Sequence, residues 1–153
     1  MDMRNQLEPL ANAGCTWAMI ELGDKNLYEK AISSNGVEKA LAWYQKAADC
    51  GEPLGLHRLA RIYYNGHYVK QDYGKALLNF HLVTRKIQSV NDDRYRVILI
   101  DSMFHLGEIY SAGKCGKDDL RIGIEWMKKA ADLGDPVAKA YLVILKEEYK
   151  RRK

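Results

Sequence analysis

The 153-residue sequence contains little of what defines several large classes of protein. Its cysteines, Cys15, Cys50 and Cys115, are too few and too scattered for a disulfide framework or a zinc site. Three prolines and twelve glycines do not indicate low-complexity disorder. Since no window approaches 18 consecutive apolar residues, no transmembrane helix is expected. Residues 1–8 include no apolar run, so no secretory signal peptide is expected either, and the sequence favours a reducing cytoplasm.

The sequence also has little excess charge. Its formal net charge is +4, from 24 Lys and Arg against 20 Asp and Glu. The last four residues, Lys150-Arg151-Arg152-Lys153, account for that excess, so we interpret it as a frayed basic tail on a neutral body. Nucleic-acid binding requires a basic stripe on a folded face. Neither nucleic acid nor a membrane is therefore predicted as a partner.

The motifs of common catalytic sites are missing as well. No H-x-x-x-H pair, H-E-x-x-H motif or glycine-rich phosphate loop occurs in the sequence. One alternative stays open, in which His57 and His105 lie near Asp101 and Glu108 as a metal or acid–base cluster. A hydrogen-bonded or solvent-facing histidine is the simpler interpretation. The sequence therefore predicts a non-catalytic protein without a cofactor.

Internal repetition is the strongest pattern in the chain. The segment WYQKAADCG at 43–51 recurs as WMKKAADLG at 126–134, an offset of 83 residues. LARIYYNG at 59–66 recurs as LGEIYSAG at 106–113, an offset of 47. Lys39-Ala40 recurs as Lys75-Ala76, an offset of 36. The unit is therefore about 36 residues long, and its second copy carries 11 additional residues.

Each repeat is predicted to form two helices, here called first-type and second-type in chain order, because apolar residues recur at helical spacing. Asp72 and Asp119 are predicted N-caps of second-type helices, and Asn35 with Glu38 is predicted to form a capping box. Small residues are predicted to let neighbouring helices approach closely. They are Ala40, Ala47, Ala48, Ala60, Gly107, Ala130 and Ala131. Trp43 and Trp126, at matched positions, are predicted to lie in the core.

The stretch from Gly51 to Ala76, with Leu59-Ala60, Tyr63 to Gly66 and Lys75-Ala76, resembles a Sel-1-like repeat, a relative of the tetratricopeptide repeat. The WY and AA pairs of residues 43–51 match the second half of that pattern. The resemblance implies an all-α fold, an α/α superhelical solenoid of antiparallel helix pairs with seven or eight helices. We place about three repeats at 15–51, 52–98 and 99–134, and a capping helix at 135–150, within one domain spanning residues 1–153.

The 11 additional residues lie between Thr84 and Ser102. One turn is predicted from Ser89 to Asp93, and the sequence on both sides continues a helical pattern. We therefore predict that both flanking helices are lengthened, each by about one to one and a half turns.

The resemblance implies that first-type helices line a concave groove, where non-consensus residues face a partner. Such surfaces favour aromatic and arginine anchors. The predicted partner-binding residues are Trp17, Leu54, His57, Arg58, Arg61, Tyr64, Asp101, Phe104, His105, Glu108 and Tyr141. The alternatives are that Trp17 and Phe104 pack on adjacent helices, and that Arg58 and Arg61 only pair with Asp101 or Glu108.

The function predicted from these features is a non-catalytic module that binds a partner protein through its groove, as an adaptor or regulator. Since family members often act in bacterial signalling, envelope assembly or host contact, a signalling or assembly component is one predicted class of partner. The small size and the missing catalytic set favour an alternative, an immunity protein that neutralises a bacterial toxin by tight binding. Self-association is a further alternative, because a short solenoid exposes an unpaired helical end.

Overall fold

The computed structural model of the chain describes residues 2–29, 35–87 and 92–153. Within these residues the chain forms eight α-helices and no strand, which confirms the predicted all-α class. The helices are α1 (Met3–Asn12), α2 (Thr16–Tyr28), α3 (Gly36–Asp49), α4 (Pro53–Asn65), α5 (Tyr73–Lys86), α6 (Asp93–Ser111), α7 (Leu120–Asp132) and α8 (Pro136–Arg151). None of these helices is both long and apolar enough to cross a membrane.

The helices form two compact units. Unit 1 is Met1–Asp72 with α1 to α4, and unit 2 is Tyr73–Lys153 with α5 to α8. Within each unit every helix packs on the next one along the chain. The even-numbered helices are the first-type helices of the repeats, and the odd-numbered ones are second-type. The predicted single domain and its repeat boundaries stay predictions.

Some helices begin at a capping side chain or end at a glycine as the sequence predicts, and others do not. The Asp119 carboxylate accepts a hydrogen bond from the backbone N of Ile122 at 3.0 Å, so the predicted cap of α7 is confirmed. Asn35 lies at the N-cap of α3 with φ −117° and ψ 17°, outside the extended conformation of a capping residue. Its side chain makes no capping bond, so the predicted capping box with Glu38 is wrong. Gly66 ends α4 at φ +68°, in the left-handed region.

Tyr44 of α3 is the centre of the unit 1 core and is fully buried. Its ring lies directly against Gly23 of α2, where a Cβ atom would overlap the ring carbons. Ala40 and Ala47, one turn on either side of Tyr44, are fully buried too. Small residues therefore do permit the close approach of α2 and α3 that the sequence predicts.

In unit 2 the helices α6 and α7 approach each other closely, as α2 and α3 do in unit 1. Met127 occupies the position of Tyr44 and is fully buried, and a Cβ on Gly107 would lie 2.8 Å from its Cε. A Cβ on Gly123 would lie 3.0 Å from the backbone oxygen of Gly107. In α3 and α7 the central core residue is therefore the one that follows the tryptophan.

The tryptophans themselves lie at the flank of the core. The sequence predicts Trp43 and Trp126 as core residues, but both are only half-buried. Tyr44 and Met127 point into the core from α3 and α7. Because successive side chains of a helix are rotated by about 100°, the tryptophan before each of them points to the side of the core. The ammonium group of the lysine three residues later lies over each ring instead. Lys46 is 4.4 Å from the Trp43 ring centre, and Lys129 is 4.2 Å from that of Trp126.

The additional residues lengthen one helix rather than two. α6 has 19 residues, six more than the 13 of α2 and α4, so its predicted lengthening is confirmed. α5 has 14 residues, the same as α3, so the predicted lengthening of α5 is wrong. It ends with Arg85 and Lys86, cations that interact favourably with the free carbonyl groups of a last turn. Most of the predicted turn, at 89–91, lies outside the described residues.

The predicted frayed basic tail is also wrong. α8 continues through Arg151, and the Arg152 guanidinium forms ion pairs with Asp118 and Glu148. Lys150 lies 3.4 Å from Glu147. These cations are therefore matched by acids on α8 and on the loop before α7, although exposed pairs of this kind add little stability.

We predict that Gly23→Ala lowers the free energy of unfolding by about 1–3 kcal/mol, because the added methyl group overlaps the Tyr44 ring. Urea denaturation followed by circular dichroism measures this. Gly74→Ala, at an exposed position of α5, is the control and is expected to be neutral or stabilising by up to about 1 kcal/mol. A Gly23→Ala protein as stable as the wild type would contradict the close approach.

Candidate functional site

The predicted binding residues of unit 1 differ widely in exposure. Trp17 is 60% exposed, so it lies on the surface instead of packing into the core. Arg61 and Tyr64 are partly exposed. Leu54 is partly buried against the unit 1 core, and His57 is buried. Of these five, Trp17, Arg61 and Tyr64 are the ones a partner reaches without repacking the unit.

Arg58 is held by a polar cluster that the sequence did not predict. Its Nε and Nη2 donate to the two carboxylate oxygens of Asp24 on α2, at 3.0 and 3.1 Å. Asp24 Oδ1 also accepts a 2.5 Å hydrogen bond from the Tyr44 hydroxyl. The alternative role of Arg58 named Asp101 or Glu108 as its ion-pair partner, but the structure shows Asp24. Burial, together with the hydrogen bond and charge of Asp24, raises the pKa of Tyr44 far above its usual range, so Tyr44 stays a donor.

We predict that Asp24→Asn lowers the free energy of unfolding by about 1–3 kcal/mol, because it removes a charged acceptor from a buried hydroxyl. The loss is expected to shrink in a Tyr44→Phe background, which a double-mutant cycle by urea denaturation measures. Asp49→Asn, at an exposed position of α3, serves as the control, with an expected change below about 0.5 kcal/mol. Equal losses with and without the Tyr44 hydroxyl would show that the two groups act independently.

In unit 2 the predicted residues form one continuous surface. Asp101, Phe104, His105 and Glu108 share a face of α6, since each lies three or four residues from two of the others. Tyr141 of α8 joins this face, since its ring centre lies 6.0 Å from that of Phe104 in an edge-on arrangement. We call these five residues the acidic–aromatic surface. Phe104 and Tyr141 also pack against the unit 2 core, so the alternative packing role of Phe104 holds in part.

His105 lies between the two carboxylates of this surface. Its Nδ1 is 3.0 Å from Glu108 Oε2, and its Nε2 is 3.5 Å from Asp101 Oδ1. The ring stacks on Phe80 of α5, with ring centres 5.1 Å apart. Burial by itself would lower the pKa of His105, but the hydrogen bonds and charges of Asp101 and Glu108 outweigh burial and raise the pKa above 6.5. When it is protonated, the His105 ring can donate to both carboxylates and hold them on one face.

We predict that His105 stabilises the fold more in acid than in alkali. Since its folded-state pKa is raised, the contribution is complete below the unfolded value of 6.5 and is lost as the pH rises through the folded value. His105→Gln is therefore expected to cost more unfolding free energy at pH 5.5 than at pH 9. Urea denaturation at both pH values measures the difference. In an Asp101→Asn/Glu108→Gln background burial alone acts on His105 and lowers its pKa, so that pH dependence is expected to reverse its sign, and its persistence in the original direction would refute the assigned cause.

The described residues contain no group of three or more His, Cys, Asp or Glu side chains arranged to hold a metal ion. Asp101, His105 and Glu108 form an ion-paired cluster. The alternative that joins His57 to this cluster involves both units and stays a prediction. The three cysteines are free thiols.

Comparison with known proteins identifies the repeats. A family model for the Sel1 repeat matches residues 18–52, 53–82 and 100–135, which is more than half of the chain. The chain belongs to the Sel1 repeat family. Sel1 repeats are generally protein-interaction modules, and their fold is typically a non-catalytic scaffold.

Two solved structures show the same fold. A Sel1 repeat protein from Oxalobacter formigenes is 24% identical, with a TM-score of 0.69 over 90% of this chain and 94% of its own. A protective antigen present in uropathogenic Escherichia coli strains, which displays an SLR fold, is 28% identical with a TM-score of 0.70. That match covers 93% of this chain but 28% of the antigen's length. The predicted solenoid class is thus confirmed. No curated protein is similar enough to be matched.

Proposed function

We propose that this Sel1 repeat chain is a non-catalytic adaptor or regulator that binds a partner protein through the exposed faces of its first-type helices. The general role of Sel1 repeats in protein interaction supports the proposal. The observation that carries it is the acidic–aromatic surface of unit 2, which combines two rings and two carboxylates on one face.

This surface fits a basic segment of the partner. The Asp101 and Glu108 side chains are 30% and 21% exposed, enough to accept hydrogen bonds from an incoming guanidinium or ammonium. Phe104 and Tyr141 offer ring faces for a cation–π contact and apolar burial. Since His105 already holds both carboxylates, binding costs less side-chain ordering than it would at a flexible acidic patch.

Unit 1 offers a second set of contacts. Trp17 exposes more than half of its surface and is a typical interface anchor. Arg58 is held by Asp24, so it presents a pre-positioned guanidinium rather than a mobile side chain. We therefore assign Trp17 and Arg58 to partner binding in unit 1, together with the partly exposed Arg61 and Tyr64.

The immunity role stays an alternative within the same class of function. A neutralising protein is expected to have one tight partner at 1:1 stoichiometry, whereas an adaptor exchanges several weaker ones. We place either role in the bacterial cytoplasm, as the sequence predicts.

We predict that Phe104→Ala/Tyr141→Ala lowers the affinity for the partner by at least about tenfold, because the paired rings are lost. The tagged chain captures proteins from lysate of its own source, and the retained partner is then purified and titrated by calorimetry. Asp101→Asn/Glu108→Gln, which keeps the side-chain shapes, is expected to weaken binding and to reduce its salt dependence.

Leu78→Ala is the matched control, since Leu78 is a large side chain of unit 2 that is 60% exposed on α5. It is expected to bind like the wild type, and circular dichroism confirms that each variant is folded. A partner that binds all of these variants equally would move the site away from the acidic–aromatic surface. If Trp17→Ala weakens partner binding and the unit 2 variants do not, the binding site lies in unit 1.

A further inference from the structure

Unit 1 contains an open pocket of about 360 Å³ among α1, α2 and α3. None of the predicted partner-binding residues lines it. Six of its lining residues carry the argument below: Arg4, Glu8, Asn26, Lys39, Trp43 and Lys46. Its volume lies within the range of small-molecule sites.

The repeat register supplies an internal comparison for this pocket. α1, α2 and α3 correspond to α5, α6 and α7 of unit 2, at offsets of 73, 84 and 83 residues. The tryptophan and the lysine after it are the same in both units. The remaining lining positions differ. Arg4, Glu8, Asn26 and Lys39 correspond to Leu77, His81, Tyr110 and Ile122, and the pocket's two further lining residues, Asn12 and Ala42, correspond to Arg85 and Glu125.

In unit 2 aromatic side chains pack at these positions. His81 Nε2 forms a 2.9 Å hydrogen bond with the Tyr110 hydroxyl. The His81 ring also packs edge-on against Trp126, with ring centres 5.3 Å apart. Leu77 and Ile122 add apolar side chains at the two remaining positions. The tryptophan of unit 2 is thus packed against its own repeat.

In unit 1 the same tryptophan position borders open space. Glu8 and Asn26 replace the two rings that pack at these positions in unit 2, and neither has an aromatic ring to cover Trp43. Arg4 and Lys39 replace the two apolar side chains. Asn12 and Ala42 replace one cation and one acid, which leaves this balance unchanged, so the replacements favour an open pocket that is more cationic than the same positions in unit 2.

The pocket residues are partly fixed in place. Asn26 is 6% exposed, and its Nδ2 donates to the Leu22 carbonyl at 2.8 Å, which leaves a second amide N–H. Arg4 forms an ion pair with Glu29 and lies 3.5 Å from Asn26 Oδ1. With Lys39 and Lys46 the lining holds three cations, of which Arg4 is paired with Glu29, and Glu8 is the acid of the lining itself.

We propose that this pocket binds a small anion that carries a planar ring. The carboxylate or phosphate of the ligand is bound by the cations Arg4, Lys39 and Lys46, where charge-assisted hydrogen bonds are strong. The planar group packs against Trp43 and supplies the apolar contact that His81 supplies to Trp126 in unit 2.

The test is a titration of the full chain followed by nuclear magnetic resonance of the tryptophan indole N–H signals. Phenyl phosphate and phenylacetate are the probes, and Trp43→Phe assigns the Trp43 signal. We expect a saturable shift of that signal with a dissociation constant of about 1 mM or lower. Inorganic phosphate and neutral phenethyl alcohol are expected to bind at least about tenfold more weakly. The tighter of the two ring-bearing probes identifies the anion.

Matched variants decide the location. Lys39→Ala/Lys46→Ala is expected to weaken binding by about tenfold or more, while Lys128→Ala/Lys129→Ala makes the same charge change in unit 2 and is expected to bind normally. All four lysines are exposed, so both variants are expected to fold. Glu8→His/Asn26→Tyr copies the unit 2 residues and is expected to abolish binding. The proposal is overturned by the absence of a saturable Trp43 shift, by equal loss in both lysine variants, or by shifts confined to Trp17 or Trp126.

Discussion

The close contact between a first-type and a second-type helix is the constraint on which the rest of the structure depends. At Gly23 and at Gly107 the helix backbone lies so near its neighbour that even a Cβ atom would meet a core side chain. Interiors of this density tolerate little change of volume. Both units repeat this close packing. Once it fixes the rotation of each helix about its axis, the directions of the remaining side chains on that helix are fixed too.

The polar clusters are consequences of that close packing. Tyr44 fills the space beside Gly23, which brings its hydroxyl to Asp24 and so fixes Arg58. In unit 2 the apolar Met127 takes the same position, and the polar cluster forms instead on α6 around His105. The two units thus present different chemistry on the same scaffold, a pre-positioned guanidinium in one and two fixed carboxylates with paired rings in the other.

The two units also differ in the side chains that surround Trp43 and Trp126. The tryptophan and lysine are kept in both, yet the residues around them either pack the tryptophan ring, as His81 and Tyr110 do, or leave a cationic pocket. This change accompanies side-chain differences at the lining positions, while the order of helix packing is the same in both units. A repeat protein can therefore acquire a ligand site without altering the contacts that stabilise its core.

The sequence by itself determined the family, the helical class and the helix pairing, because these depend on local spacing and on small residues that recur at fixed offsets. It also predicted the five residues of the acidic–aromatic surface, four of which share one face of α6, whereas the packing of Tyr141 of α8 beside Phe104 came from the tertiary structure. Only the tertiary structure decided that α6 alone is lengthened, that Trp43 is half-buried, and that Arg58 pairs with Asp24. Those features depend on contacts between helices far apart in the chain, and periodicity specifies which face a residue occupies but not which side chain it meets.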